Sequence, residues 1–144
     1  MNVEQVARDF VGTFDRGDIL QRVTPDASVS GGVLPSPMPA TEAARLVAAL
    51  RSAFPDLRFQ IEDVKVDGNI ATVDTMWGGT NSGPFPVPIP GIAPLPPTGR
   101  KVWVKDTYVV TIRGDKVAHM EMRSPVDGGM PGALAQLGVK VPGV

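Results

Sequence analysis

The 144-residue chain contains no cysteine and a single histidine, His119. Without cysteine there is neither a disulfide framework nor a thiol nucleophile, and one imidazole does not make a His-rich zinc site. The sequence therefore predicts no metal centre.

The chain also has no large excess of positive or negative charge. Fourteen basic and fifteen acidic residues leave a net charge of -1, which gives no electrostatic footprint for nucleic acid or an anionic membrane. No run of about eighteen apolar residues is present, and the N-terminus lacks a basic stretch followed by an apolar one. We expect a cytoplasmic protein with no nucleic-acid or membrane partner.

The size and the 42% hydrophobic content suit one globular domain. Apolar residues from Val3 to Phe14 recur at helical spacing and predict a first helix that Gly17 ends. A short strand is possible at 26–30, and the Gly/Pro-rich stretch from Gly31 to Pro39 should interrupt regular structure. Thr41 is the predicted N-cap of a second helix that ends at Pro55.

After Pro55 the spacing alternates, which indicates strands. The first of these strands changes phase between Ile61 and Val64, as a bulge would produce, and Asp67-Gly68 predicts a hairpin turn. Further strands are predicted at 70–77, 102–112 and 117–124, with a short final helix at 131–137 closed by Gly138. Helices followed by an antiparallel meander indicate an α+β fold.

Prolines alternate with apolar residues in the segment from Gly83 to Pro97. Such a chain is stiff and extended and cannot form a central strand. We predict an apolar flap that covers a pocket, packs on a second subunit or serves as a connector.

Asp106 is the most informative residue of the sequence. Strand alternation places it on one face with Val104, Tyr108 and Val110, so a carboxyl group points towards the core. A buried carboxylate must find donors or hold a proton, and both outcomes suit acid/base chemistry. The alternatives are a group satisfied by backbone donors, or a strand with its faces reversed.

Four short motifs occur in order along the chain, and together they carry a family resemblance. They are Phe14-Asp15-Arg16-Gly17-Asp18, Ala53-Phe54-Pro55-Asp56-Leu57-Arg58-Phe59, Gly79-Thr80-Asn81-Ser82-Gly83 and Pro96-Pro97-Thr98-Gly99-Arg100. In this order the chain resembles the SnoaL-like polyketide cyclases of the NTF2-like superfamily. The resemblance covers one domain, residues 1–144, with a proline-rich insertion at about 83–97.

The resemblance implies a cone of curved antiparallel sheet, with helices on its concave side enclosing an apolar cavity, in a homodimer. Members of the family include cofactor-free cyclases that close polyketide rings by aldol chemistry. Ketosteroid isomerase and limonene epoxide hydrolase are more distant relatives. The resemblance therefore implies an apolar small-molecule substrate and no cofactor, but it does not single out one reaction.

The chain departs from the family pattern at several polar positions. Asn81 stands where members commonly have histidine, and Tyr108 aligns with a common aspartate. Asp106 is one strand period earlier, so the acid has moved along the same wall. Met120 and Met122 replace two further polar residues, which predicts a more apolar pocket.

Other candidates have two interpretations each. Trp77 lines the pocket or fills the core, and Trp103, opposite Asp106, suits a subunit contact. In the last strand either Met120 and Met122 or His119 and Glu121 face the core, and we expect the methionines to do so. In the other case, His119 would be a second acid/base and Glu121 would orient it. Asp74 is predicted to be exposed; if it were buried, a second acid beside Asp106 would permit epoxide hydrolysis.

The leading hypothesis is a cofactor-independent cyclase or isomerase that closes a ring in an apolar polyketide-like molecule. Asp106 is the predicted acid or base and Tyr108 a hydrogen-bond donor. The predicted substrate contacts are Phe10, Phe14, Trp77, Asn81, Met120 and Met122. The alternatives are an epoxide hydrolase or epoxide-opening cyclase of the same fold, and a binding or dimerisation module without chemistry.

Overall fold

The computed structural model describes residues 2–32, 34, 36–86 and 93–139. Its elements in chain order are α1 (Val3–Gly12), a 3-10 helix (Ile19–Arg22), β1 (Val23–Gly31), β2 (Met38–Pro39), α2 (Ala40–Ala53), β3 (Arg58–Asp67), β4 (Ile70–Thr80), β5 (Lys101–Arg113), β6 (Lys116–Met122) and α3 (Gly129–Gln136). Across these residues no helix is both long enough and apolar enough to span a membrane.

The six strands form one sheet in the order β2-β1-β6-β5-β4-β3. Strands β3 to β6 are the predicted antiparallel meander. One pairing is not antiparallel, because β1 pairs in parallel with β6, a partner that no sequence pattern indicated. Parallel neighbours need a long connection, and here the connection contains α2 and the meander itself.

Helix α1 packs across the sheet and contacts β3, β4, β5 and β6. The Asn2 side chain accepts a hydrogen bond from the Gln5 amide at 2.7 Å, which caps the helix. Gly17, with φ of +87°, ends the turns that follow, close to the predicted position. The apolar stripe of α1, including Phe10 and Val11, is buried.

Helix α2 begins two residues earlier than predicted, and Thr41 is not its N-cap. Pro39 occupies the cap in an extended conformation and makes no side-chain cap hydrogen bond. Because Pro39 is paired with Ser28 in the β1–β2 ladder, the chain turns directly from that strand into the helix. Thr41 is therefore already helical.

The predicted strands are all present, although β4 extends to Thr80 and β6 ends at Met122, two residues before the predicted end. The β3–β4 ladder shifts register between Ile61 and Asp63, as the phase change predicted. Gly68, with φ of +62°, lies in the turn of that hairpin. In β5 every second residue from Val102 to Ile112 is buried, and Gly138, with φ of +84°, follows α3.

Part of the proline-rich segment, residues 87–92, lies outside the described residues. The flanking parts pair with each other, because the Phe85 amide donates to the Leu95 carbonyl at 2.9 Å and the reverse bond measures 2.8 Å. Phe85 is buried and its ring packs against Phe54, with centroids 5.9 Å apart. The start of the segment is thus fixed against the end of α2.

Candidate active site

An apolar cavity of about 110 Å³ lies between the concave face of the sheet and the helices. Its walls are mainly aliphatic, aromatic and methionine residues. The polar residues that line it within the described part of the chain are Ser28, Asp106, Tyr108 and Ser124, besides Trp77. Asp106 and Tyr108 are the titratable groups of that lining, and no Lys, Arg or His side chain belongs to it.

Asp106 sits in the middle of β5 with its side chain on the buried face, as the alternation predicted. The residue is 5% exposed, although it contributes to the cavity wall. The interpretation with reversed faces is therefore wrong. A carboxylate at this depth has lost most of its hydration and depends on protein donors for stabilisation.

Three donors hydrogen-bond to the Asp106 carboxyl group, and the Tyr108 hydroxyl is close enough to lower its pKa as well. The Ser124 hydroxyl donates to Oδ1 at 2.8 Å, and the Thr107 amide donates to the same oxygen at 3.1 Å. The indole Nε1 of Trp77 donates to Oδ2 at 3.1 Å. Two of the three donors are side chains, so satisfaction by backbone donors does not describe this site.

Burial raises the pKa of Asp106 above its ordinary value, and the hydrogen bonds from Ser124 and Trp77 oppose that rise. Desolvation disfavours the charged form, whereas each donor favours it. The net change is upward, so Asp106 holds a proton more readily than an exposed aspartate does, which favours a role in proton transfer.

Two different parts of the fold bring the side-chain donors to Asp106. Trp77 comes from β4. Thr75, one strand period before Trp77 and on the same face, is directly opposite Asp106. Ser124 follows the end of β6, and the Arg123 amide keeps its backbone next to β5 by donating to the Thr107 carbonyl at 2.7 Å.

Gly129, at the start of α3, permits this arrangement. Its φ is +56°, and a Cβ atom at this position would lie 2.2 Å from Ser124 Oγ. Any larger residue would therefore displace the hydroxyl that donates to Asp106.

Tyr108 follows Asp106 by one strand period and is 3% exposed. Burial, and next the neighbouring Asp106 carboxylate, raise the pKa of Tyr108 well above its ordinary value. The phenol therefore stays neutral at physiological pH and remains a hydrogen-bond donor.

A chain of aromatic rings surrounds the two polar groups. Phe14 packs edge-on against Phe10 and Phe59, with centroids 5.1 Å apart in both pairs. Phe59 stacks on Trp77 at 5.8 Å, and Phe14 also contacts the Tyr108 ring at 5.8 Å. All five rings line the cavity.

Most of the predicted substrate contacts lie at the cavity wall. Phe10, Phe14, Trp77, Met120 and Met122 all line it, and the methionines face inward as favoured. Their roles as substrate contacts stay predictions.

Asn81 is elsewhere. Its amide is buried but does not line the cavity, because it ties together the two ends of the proline-rich segment. Nδ2 donates to the Gly83 carbonyl at 2.9 Å, and Oδ1 accepts from the amide and hydroxyl of Thr98 at 3.0 and 2.8 Å. A further bond, from Nδ2 to the Ala53 carbonyl at 3.3 Å, connects this junction to α2. We therefore leave Asn81 out of the proposed substrate site.

The remaining candidates lie on the outer face of the sheet. The ring nitrogens of His119 are engaged by Ser28 Oγ at 2.7 Å and Ser30 Oγ at 2.9 Å. Asp74 accepts from the Thr107 hydroxyl at 3.0 Å. His119, Glu121 and Asp74 do not line the cavity.

Trp103 is 37% exposed on the same outer face, with the Arg58 guanidinium 5.3 Å from its ring centroid. Trp103 does not line the apolar cavity. Its burial by a second subunit stays a prediction.

Sequence reasoning missed several wall residues. Ser124 had a usable signal, because it continues the alternation of Met120 and Met122 by one more strand period. Met38 and Met130 also line the cavity. They lie next to loops, where no periodic pattern marks a buried face.

Comparisons with solved structures agree with this architecture. AclR, a candidate hydroxylase from Streptomyces galilaeus, is 20% identical with a TM-score of 0.76, over 99% of this chain and 83% of that chain. A candidate SnoaL-like polyketide cyclase from Jannaschia sp. CCS1 is 24% identical with a TM-score of 0.69, over 92% and 93%. IdmH, a candidate polyketide cyclase from Streptomyces antibioticus, is 19% identical with a TM-score of 0.73, over 96% and 100%.

A search of curated proteins found no match. A family model described as the SnoaL-like domain matches residues 4–120, which is most of the chain and includes nearly all of α1, all of α2, strands β1 to β5, most of β6, and Asp106. The chain therefore belongs to the SnoaL-like domain family and has the ketosteroid isomerase-like, NTF2-like fold.

Proposed function

We propose that the protein is a cofactor-independent cyclase or isomerase that acts by acid/base chemistry on a neutral, apolar carbonyl compound. One observation carries the proposal. A carboxyl group with a raised pKa lies at the wall of an apolar cavity, next to a buried tyrosine that stays protonated. Paired groups whose environments give them different proton affinities are the usual basis for assigning acid and base roles.

In the proposed reaction, ionised Asp106 removes a proton from the carbon next to a carbonyl group. Tyr108 donates a hydrogen bond to the carbonyl oxygen and so stabilises the negative charge of the enolate. In ring closure, the enolate carbon forms a bond to a second carbonyl carbon, and protonated Asp106 returns its proton to the new alkoxide. In isomerisation, the proton returns instead to another carbon of the same enolate.

The rest of the cavity supplies position rather than chemistry. Its volume of about 110 Å³ is below the roughly 300–1,000 Å³ of pockets that enclose drug-sized ligands. The walls therefore suit a compact substrate portion and hold its reacting atoms together. Such preorganisation can itself lower a barrier by several kcal/mol.

Epoxide hydrolysis by two facing acids has less support. It needs a second carboxylate beside Asp106, and Asp74 lies on the outer face of the sheet with its Oδ1 bound to Thr107. Within the described lining, Asp106 is the single carboxyl group.

The direct test uses a compact ketone as a probe. The β,γ-unsaturated isomer of cyclohexenone should convert to the α,β-unsaturated isomer faster with the protein than in buffer, which is followed by ultraviolet absorbance. Cyclohexene oxide in isotope-labelled water should give no labelled diol above background. Diol formation without ketone isomerisation would favour the hydrolase, and binding of these probes without turnover would favour a binding module.

Substitution of Ser124 by alanine should move the acid limb of the pH profile of kcat/KM to higher pH. Removal of this donor raises the pKa of Asp106 further, so the ionised base appears only at higher pH. Trp77→Phe should shift the limb in the same direction. Ser28→Ala is the matched control, because it also removes one serine hydroxyl, but this hydroxyl is hydrogen-bonded to His119 and not to Asp106. An unchanged limb in both Ser124→Ala and Trp77→Phe would contradict this role of the donors.

A further inference from the structure

The cavity has a marked imbalance of charge. Asp106 is its single acidic side chain, and the described lining contains no Lys, Arg or His that would pair with it. None of the ion pairs found within the described residues involves Asp106. Its three neutral donors satisfy hydrogen bonds but leave the negative charge uncompensated when the group is ionised.

The walls next to this charge are aromatic. The contiguous rings of Phe10, Phe14, Phe59, Trp77 and Tyr108 line the same cavity. Aromatic rings attract cations through the negative potential of their faces, and the attraction is stronger where water is excluded. A carboxylate inside an aromatic cavity combines both attractions in one place.

We propose that this cavity is also a binding site for small apolar ammonium ions, with an alkylated ammonium head against Asp106. The ligand class is a compact organic cation of about the size of a trimethylammonium group. The proposal rests on the same site as the proposed function, but it requires only binding and no turnover.

Selectivity for a cation is expected because Asp106 loses its water when the protein folds, and not when the ligand binds. Folding has removed most water from Asp106, so an entering cation loses its own hydration but gains a close opposite charge. A neutral ligand of the same shape gains only the apolar contacts. An anion of the same shape meets the carboxylate without any neighbouring cation, which costs free energy.

Three probes of nearly equal shape separate these effects. Choline carries the cation, its neutral analogue has a tert-butyl group in place of trimethylammonium, and pivalate carries a carboxylate beside the same tert-butyl group. Isothermal titration calorimetry at neutral pH should show choline binding about tenfold or more tightly than the neutral alcohol. Pivalate should bind more weakly than the alcohol.

Asp106→Asn should reduce the preference for choline over the alcohol to about one. In this variant the amide oxygen accepts from Ser124 and Thr107, so its NH₂ group faces the Trp77 N–H donor. The double variant with Trp77→Phe removes this donor–donor conflict and keeps an aromatic ring. Alcohol binding to the double variant reports an intact cavity, and Asp74→Asn, on the outer face, should keep the full preference.

The inference is overturned if the wild-type protein binds choline no more tightly than the alcohol, if neither probe binds, or if the preference survives in both Asp106 variants. Failure of the proposed function has a different signature. A protein that prefers choline but does not isomerise the ketone leaves this inference standing, whereas an active protein without the preference overturns this inference alone.

Discussion

Asp106→Asn is expected to lower kcat/KM for ketone isomerisation by about a hundred- to ten-thousand-fold, the range that a positioned general base contributes. The amide keeps the shape of the side chain but cannot accept the proton from carbon. Initial rates of absorbance change, measured for both proteins across the pH range, give the ratio directly.

Asp74→Asn is the matched control for this experiment. Asp74 is in the neighbouring strand and also accepts a hydroxyl hydrogen bond, but its side chain lies on the outer face. Its replacement should leave kcat/KM unchanged. Circular dichroism and thermal unfolding of Asp106→Asn separate loss of the base from loss of the fold. Wild-type turnover in a folded Asp106→Asn protein would mean that another group takes the proton.

Tyr108→Phe is expected to lower kcat by about a hundred- to a thousand-fold, the usual effect of removing one donor to a developing oxyanion. The aromatic ring remains, so the contact with Phe14 and the buried packing are preserved. The loss should fall mainly on kcat rather than on KM, because the hydrogen bond strengthens as the enolate forms.

The kcat values of Tyr108→Phe and of the wild type should be compared on the high-pH plateau of the rate profile. The Tyr108 hydroxyl helps to lower the pKa of Asp106, so its removal also moves the acid limb to higher pH. On the plateau Asp106 is ionised in both proteins, and the remaining difference reports the oxyanion donor. A plateau kcat equal to that of the wild type would exclude Tyr108 from this role.

Several parts of the site were predictable because they depend on local periodicity. Side chains alternate along a strand, so the pattern from Val102 to Ile112 was enough to place Asp106 and Tyr108 on the buried face. The same rule placed Met120 and Met122 inward. The bulge after Ile61 was visible as a change of phase in the apolar residues.

Asn81 shows where sequence reasoning failed. Its alignment with a pocket histidine suggested a substrate contact, but an amide can donate and accept at once, and here it satisfies backbone groups on both ends of the proline-rich segment. Those partners are distant in sequence, and only the closed loop brings them together. The Thr41 cap failed for a related reason, since the pairing of Pro39 with β1 fixed the start of α2.

The sequence by itself determined the α+β class, the meander, and an acid on an apolar face next to a tyrosine. These features follow from strand alternation and helical spacing, which involve neighbours in the chain. The tertiary structure alone decided the parallel β1–β6 pairing, the placement of Asn81, and the convergence of Trp77 and Ser124 on Asp106. The shift in the pKa of that acid depends on burial and on donors far away in sequence, so it arises only once the chain has folded.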